Sequence, residues 1–314
     1  MSHDEETEMT TRWIRHILLW MLIPLLMVLS ATATSAQVVG NGYNNSLIYK
    51  IESGTNTVYI LGSLHALAEE YYPLTRSFTY SYYDSQKVIF EIDPTILFTS
   101  TPKPEIVKQS MFTNGMTIQK ALTPKTYQLL TKKLRQMGIS PKEVEKFKPW
   151  KLYLLVGGTL DSAKDFRPDL GIERYFYQMA KDAGKETGGL ETLEDQLNVF
   201  DTLSFKEQEA LLLEVLQNGQ TQEKQFVQMV KSWHQGNLAG MERFVETFKA
   251  YPKYYQAILV KRNHNWVPQI EAFLKDTKNY FVVVGVAHLP GEDGLIALLE
   301  KKGYTLERVS FARP

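Results

Sequence analysis

Two segments far apart in this chain share one local design. Tyr59-Ile60-Leu61-Gly62-Ser63-Leu64-His65 and Val282-Val283-Val284-Gly285-Val286-Ala287-His288-Leu289 are each an apolar, strand-like run followed by Gly, two residues and His. A third apolar run, Val88-Ile89-Phe90-Glu91-Ile92-Asp93-Pro94, carries a carboxylate near its C-terminal end. In an open α/β sheet, parallel strands bring their C-terminal ends to one edge, where ligands bind. Glycine at a strand exit permits a tight turn and close backbone approach, so the side chain that follows can reach over that edge. Two imidazoles and a carboxylate meeting there suit a divalent metal. His65, Glu91 and His288 are therefore the expected metal ligands. The plainer alternatives are two surface histidines near turns and an edge-strand Glu facing water.

The rest of the pattern places these runs in a mixed α/β fold. Ser46–Glu52 and Thr57–Leu61, separated by Ser53-Gly54-Thr55-Asn56, predict a β-hairpin whose second strand delivers His65. Residues 66–84 read as helix or loop rich in tyrosine, and 87–92 as a buried strand stopped by Asp93-Pro94. The tyrosines suit core or rim packing better than a cleft lining. From about residue 104 the period turns helical. Thr123-Pro124 and Ser140-Pro141 resemble N-cap and N1 pairs, predicting helices over 124–137 and 141–147. Further helices are expected over 171–183, 204–217 (with a Ser204/Glu207 capping box), 221–235, 238–249 and 252–274, the last broken near 262. A short strand is expected around 185–192, another at 279–285, then a closing helix over 293–302 and a strand over 304–310. The expected architecture is a mixed central sheet with a large helical insertion, about residues 100–275, between the N-terminal and C-terminal strands.

Other side chains join the candidate site by position. Asp93, two residues beyond Glu91, shares its face in an extended strand. Glu191 joins the same edge if its segment is a sheet strand. Arg262, with Asn263, lies in the helix before the last strand, and Arg suits a carboxylate or an anionic tetrahedral intermediate. A solvated helix charge is the alternative for Arg262. Glu173 is explained by the helix dipole alone, and His234 and His264 read as helix-surface residues. No phosphate loop, nucleophile elbow or His-Glu-x-x-His motif is present.

Charge and targeting signals narrow the class. The 35 basic and 35 acidic residues cancel, and no basic cluster suggests nucleic acid. There is no cysteine, which excludes disulfides, thiolate catalysis and zinc-thiolate sites. Arg12 and Arg15 precede the apolar run Ile17 to Leu29, and small residues follow up to Ala36. That is the layout of a secretory signal, cut after Ala36 or Ala33. The run, about 13 residues with Pro24 inside, is short for a span needing roughly 20. The expectation is a signal peptide over 1–36 and a single domain over 37–314. The mature protein is expected to be periplasmic or secreted, with no membrane span after cleavage.

The ordered set of motifs resembles the TraB/GumN (PrgY, Tiki) proteins. It runs through Gly62-Ser63-Leu64-His65, Phe90-Glu91-Ile92-Asp93, Gly171-Ile172-Glu173 and Gly189-Leu190-Glu191-Thr192 with Gln196. It continues through Arg262-Asn263 with Trp266, Val284 to Leu289, and Gly294 to Leu299 followed by Gly303-Tyr304. The family usually has Asp where this chain has Glu173, which keeps the charge. The resemblance implies an α/β fold with paired Gly-x-x-His motifs. Tiki-type members are metal-dependent proteases reported to use Mn²⁺ or Co²⁺, with two histidines and a Glu implicated; these map onto His65, His288 and Glu91. Other relatives are described as limiting a peptide pheromone, or are named from polysaccharide gene clusters.

Together these readings predict an exported metal-dependent hydrolase, with peptides the foremost substrate class and small molecules the other. The ion would be Mn, Co, Zn or Fe, held by His65, Glu91 and His288. Glu191 or Asp93 would act as general base or further ligand, and Arg262 would steady the oxyanion or a substrate carboxylate. The alternatives are a binding protein that sequesters a peptide or small ligand in the same cleft, and a scaffold whose site has lost its chemistry.

Overall fold

The computed structural model describes residues 46–98, 104–158 and 166–310. The expected signal segment, and the residues that follow it up to 45, lie outside the described residues. Two compact units account for the chain: one built from stretches 95–164 and 197–226, the other from 30–94, 165–196 and 227–314.

The second unit holds a six-stranded mixed sheet. Its strands are β1 (Ile48–Glu52), β2 (Thr57–Ser63), β3 (Lys87–Ile92), β4 (Glu186–Glu191), β5 (Tyr280–Gly285) and β6 (Glu307–Arg308). The order across the sheet is β4-β3-β5-β2-β1-β6. β1 and β2 form the expected hairpin, with Ile48 opposite Leu61. β2, β5, β3 and β4 run parallel, with Gly62 opposite Val284 and Ser63 opposite Gly285. Strands covered on both faces read as continuous apolar runs rather than alternating ones. β5, at the middle, shows this: Phe281, Val282, Val283 and Val284 are fully buried. Tyr82, Phe176 and Phe281 pack ring against ring beside it. The tyrosine-rich stretch divides as expected between core and rim, with Tyr82 buried and Tyr80 and Tyr83 exposed.

β4 is the short strand expected around 185–192, within the stretch otherwise expected to be helical insertion, and it forms one edge of the sheet. The last expected strand, 304–310, shrinks to the two residues of β6, because Gly303 turns the chain in the left-handed region and Tyr304 N–H returns to Leu299 O. The chain 252–274 breaks into a short helix Pro252–Tyr255, a π-turn Gln256–Val260 and a helix Lys261–Phe273. The π-turn sits directly before Arg262; single π-turns within helices recur at functional sites.

The other unit is helical. Thr123 caps Pro124–Gln136 as the sequence predicts. The Ser204/Glu207 box forms, and helix Phe205–His234 bends at Asn218, where two helices were expected to meet. Residues 141–147 do not form the expected helix. Their backbone pairs sideways instead: Phe112 N–H donates to Lys146 O and Ile118 N–H to Glu145 O. Phe147 bridges Met111, and Lys148, extended before Pro149, starts helix Pro149–Gly157.

Candidate functional site

Each of the four parallel strands delivers one polar residue to the C-terminal edge of the sheet. β2 leads to His65, β3 carries Glu91, β4 ends in Glu191, and β5 exits through Gly285 to His288. The two Gly-x-x-His motifs pack against each other. A Cβ on Gly62 would lie 2.7 Å from Leu289 Cδ1 and 2.9 Å from Val286 Cγ2, so glycine is what lets the second motif's turn settle on β2. A Cβ on Gly285 would stand 3.1 Å from Glu91 Oε1 and 3.7 Å from both His65 Nε2 and His288 Cδ2. The space left by the missing side chain is where the three expected ligands converge.

Arg262 ties this edge together. Its Nη2 donates to Glu91 Oε2 at 2.6 Å and to Glu191 Oε1 at 2.7 Å, and its Nε reaches both Glu191 oxygens at 3.0 Å. Nη1 donates to Ile258 O and stands 3.0 Å from His288 Nε2. All five N–H bonds of the guanidinium are thereby spent, and Arg262 as it stands orients two carboxylates rather than offering a donor to a ligand. It is 5 % exposed, so the solvated helix charge that its sequence context also allowed is not what forms. Trp266 stacks beneath it, with the guanidinium carbon 4.7 Å from the ring centroid.

His288 Nδ1 is hydrogen-bonded, and His65 Nδ1 makes a close ion-pair contact with a carboxylate. His65 Nδ1 pairs with Glu173 Oε1 at 2.7 Å, and the Ser63 hydroxyl donates to the same oxygen. His288 Nδ1 meets Asn263 Oδ1 at 2.6 Å, while Asn263 Nδ2 donates to Asp293 O. That amide's donor side is thus used, and its oxygen accepts the imidazole N–H. Glu91 accepts from Gly285 N–H at 2.6 Å and from Gln196 Nε2 at 3.3 Å. His288 Nε2 lies 3.7 Å from Glu91 Oε1.

The electrostatics follow from burial and from these pairs. Burial opposes charge on Glu91, but Arg262, both histidines and Gly285 N–H outweigh it and hold the carboxyl down at about 2. Burial, reinforced by Arg262, pushes His288 down to about 3, so it is a neutral imidazole at physiological pH. Burial works against a charged His65 as well, yet Glu173 and Glu91 overcome it and raise its pKa. Burial raises Glu191, with Arg262 partly offsetting it.

Thus His65, Glu91, Glu191, Arg262 and His288 come together, and Asp93 stands half-buried just past the end of β3. The sequence reading understated Glu173: it is at a helix start, as expected, but its carboxylate is directed to His65. Asn263 and Gln196 had no role assigned. Their partners, His288 and Glu91, lie on other elements, which leaves no local signal. His234 and His264 are exposed, as expected.

Among the described residues, no group of three His, Asp or Glu side chains stands close enough to hold a metal ion as placed. The donor chemistry nevertheless fits one. Each imidazole has an oxygen beside its Nδ1, which is how metal-bound histidines are oriented. His65 Nε2 is then the ligating atom, while His288 Nε2 would have to exchange its contact with Arg262 Nη1 for the ion. Two buried carboxyl groups, Glu91 and Glu191, share one permanent cation, Arg262, and a third, Glu173, pairs with His65.

No curated protein and no solved structure matches the chain. The TraB/PrgY/gumN family matches residues 47–308, a span that contains every strand and every site residue described above, and the chain belongs to that family.

Proposed function

We propose that the protein is an exported metal-dependent hydrolase acting on peptides, with the sheet edge between His65 and His288 as its active site. The observation that carries this reading is the pair of imidazoles, each with an oxygen beside its Nδ1, that close together with Glu91 on Gly285. His65, Glu91 and His288 are the residues that would hold the ion, which when bound polarises a carbonyl and lowers the pKa of water. The remaining side chains prepare the site. Arg262 fixes Glu91 and Glu191 in place, and Asn263 holds the His288 ring. Glu191, whose pKa burial raises, or Asp93 takes the proton from the attacking water. Burial of the cluster keeps bulk water from screening these charges.

A second reading has its own observation. Arg262 already occupies the cation's place between the two carboxylates and His288, with every donor satisfied. A site built that way suits a non-catalytic receptor for a peptide or small ligand.

Metal analysis of the mature protein combined with cleavage of a peptide library separates the two. The hydrolase reading expects stoichiometric Mn, Co, Zn or Fe, and cleavage that falls at least about a hundredfold in His65→Ala, Glu91→Ala and His288→Ala. Peptide retained without any product, in protein charged with each of these metals, overturns it.

A further inference from the structure

Glu173 is the second residue of helix Ile172–Asp182 and is 8 % exposed. A carboxylate at that position satisfies the helix dipole by staying near its own N-terminal N–H groups. Here it turns toward β2 instead, and one oxygen accepts the Ser63 hydroxyl and stands 2.7 Å from His65 Nδ1. The backbone around it is clamped to the same loop. Ile172 N–H donates to Leu64 O at 3.0 Å, and a Cβ on Gly171 would lie 2.1 Å from His65 O. No residue but glycine fits that approach. The helix start and the turn that carries His65 therefore form one unit.

We infer that Glu173 is the positioning residue of His65: its carboxylate accepts the Nδ1 proton, fixes that tautomer, and leaves Nε2 unprotonated on the side of Gly285 and Glu91. Free imidazole favours no such orientation, and a metal-ligating or proton-accepting Nε2 requires it. The other histidine is held by a neutral amide, Asn263, so the two rings are oriented by chemically different acceptors. Only the use made of Nε2 rests on the hydrolase reading; the orientation of the ring does not.

Imidazole ¹⁵N NMR on the metal-free mature protein, at a pH where the ¹⁵N shifts themselves show the ring to be neutral, tests this directly. In the unaltered protein, His65 is expected with a protonated Nδ1 and an unprotonated Nε2. In Glu173→Ala the signal moves toward a mixture of tautomers, while Glu173→Gln, which keeps an acceptor oxygen, retains the original one. Glu173→Met fills the space without an acceptor and replaces the Ala variant if that one folds poorly. Titration with Mn²⁺ alone is expected to show a roughly 10- to 100-fold weaker affinity in the Ala or Met variant. An unchanged His65 tautomer in a folded Glu173→Ala or Glu173→Met protein overturns the inference. If the unaltered protein takes up none of Mn²⁺, Co²⁺, Zn²⁺ and Fe²⁺, the hydrolase reading fails, and the tautomer measurement still decides the role of Glu173.

Discussion

Arg262 concentrates most of the site's electrostatic energy in one side chain. Its guanidinium is buried with two carboxylates, and its planar fork meets both oxygens of Glu191 while reaching Glu91 with the other arm. Such a buried pair is not by itself strong evidence of net stabilisation, because removing three charges from water is costly. Breaking it from one side is a different matter, since two carboxylates would remain buried without a counter-ion. Arg262→Met is therefore expected to destabilise the fold by about 3–5 kcal/mol in urea unfolding at neutral pH. Arg262→Lys should recover only part of that, because an ammonium presents no fork and no face for Trp266. A loss under 1 kcal/mol in the Met variant would show that the cluster is already open to water. Acid should narrow the gap between variant and parent, because protonating Glu91 and Glu191 removes the charges that Arg262 compensates. The effect sets in first at Glu191, whose pKa burial raises, and last at Glu91, held down at about 2.

Helix Pro149–Gly157 poses the question of a buried charge again, with an amine. Every residue from Pro149 to Val156 is buried, which is the signature of a helix apolar on all sides, and yet its third residue is Lys151. Burial alone pushes the Lys151 amine down to about 7. The unfolded chain binds a proton up to its ordinary value near 10.5, so between about 7 and 10.5 the unfolded state holds more protons than the folded one. Stability from this group therefore rises with pH across that window and is flat below it. Lys151→Met should abolish the slope and stabilise the protein at pH 7 by an amount on the order of a few kcal/mol, read from denaturation curves at pH 7 and pH 10. Equal stability of the two proteins at pH 7 would contradict this. The element scale is also where the sequence was most and least legible. Strands β2, β3 and β5 and the capped helices announced themselves, because apolar period and cap chemistry are local. Residues 141–147 did not, since a Ser-Pro start favours a helix only until a neighbouring segment claims its carbonyls, as Phe112 and Ile118 do. The histidines at the strand ends were readable from the repeated Gly-x-x-His. Glu173 and Asn263, which orient those histidines, were not, because their partners lie on other elements and nothing in the flanking residues points to them.

At the scale of the whole sheet, the site exists only once the last strand is in place. β5 arrives near the end of the chain and inserts between β2 and β3, which do not pair with each other. His288 and the Gly285 N–H that holds Glu91 come with it, so the ligand set belongs to the folded sheet and not to any local segment. An ion that binds this arrangement and not the unfolded chain must stabilise the fold by mass action. At a free concentration one hundred times its dissociation constant the gain is about 2.7 kcal/mol, which for a chain of this size corresponds to a rise in Tm of roughly 5–10 °C. Scanning calorimetry of the mature protein with increasing Mn²⁺ should show Tm climbing with the logarithm of concentration, and a chelator should reverse it. His65→Ala should remove the climb, while Lys151→Met, remote from the strand ends in sequence and in the helical unit, should keep it intact. The same rise in His65→Ala as in the unaltered protein would mean that the ion is bound elsewhere, and the assignment of His65, Glu91 and His288 as its ligands would fall.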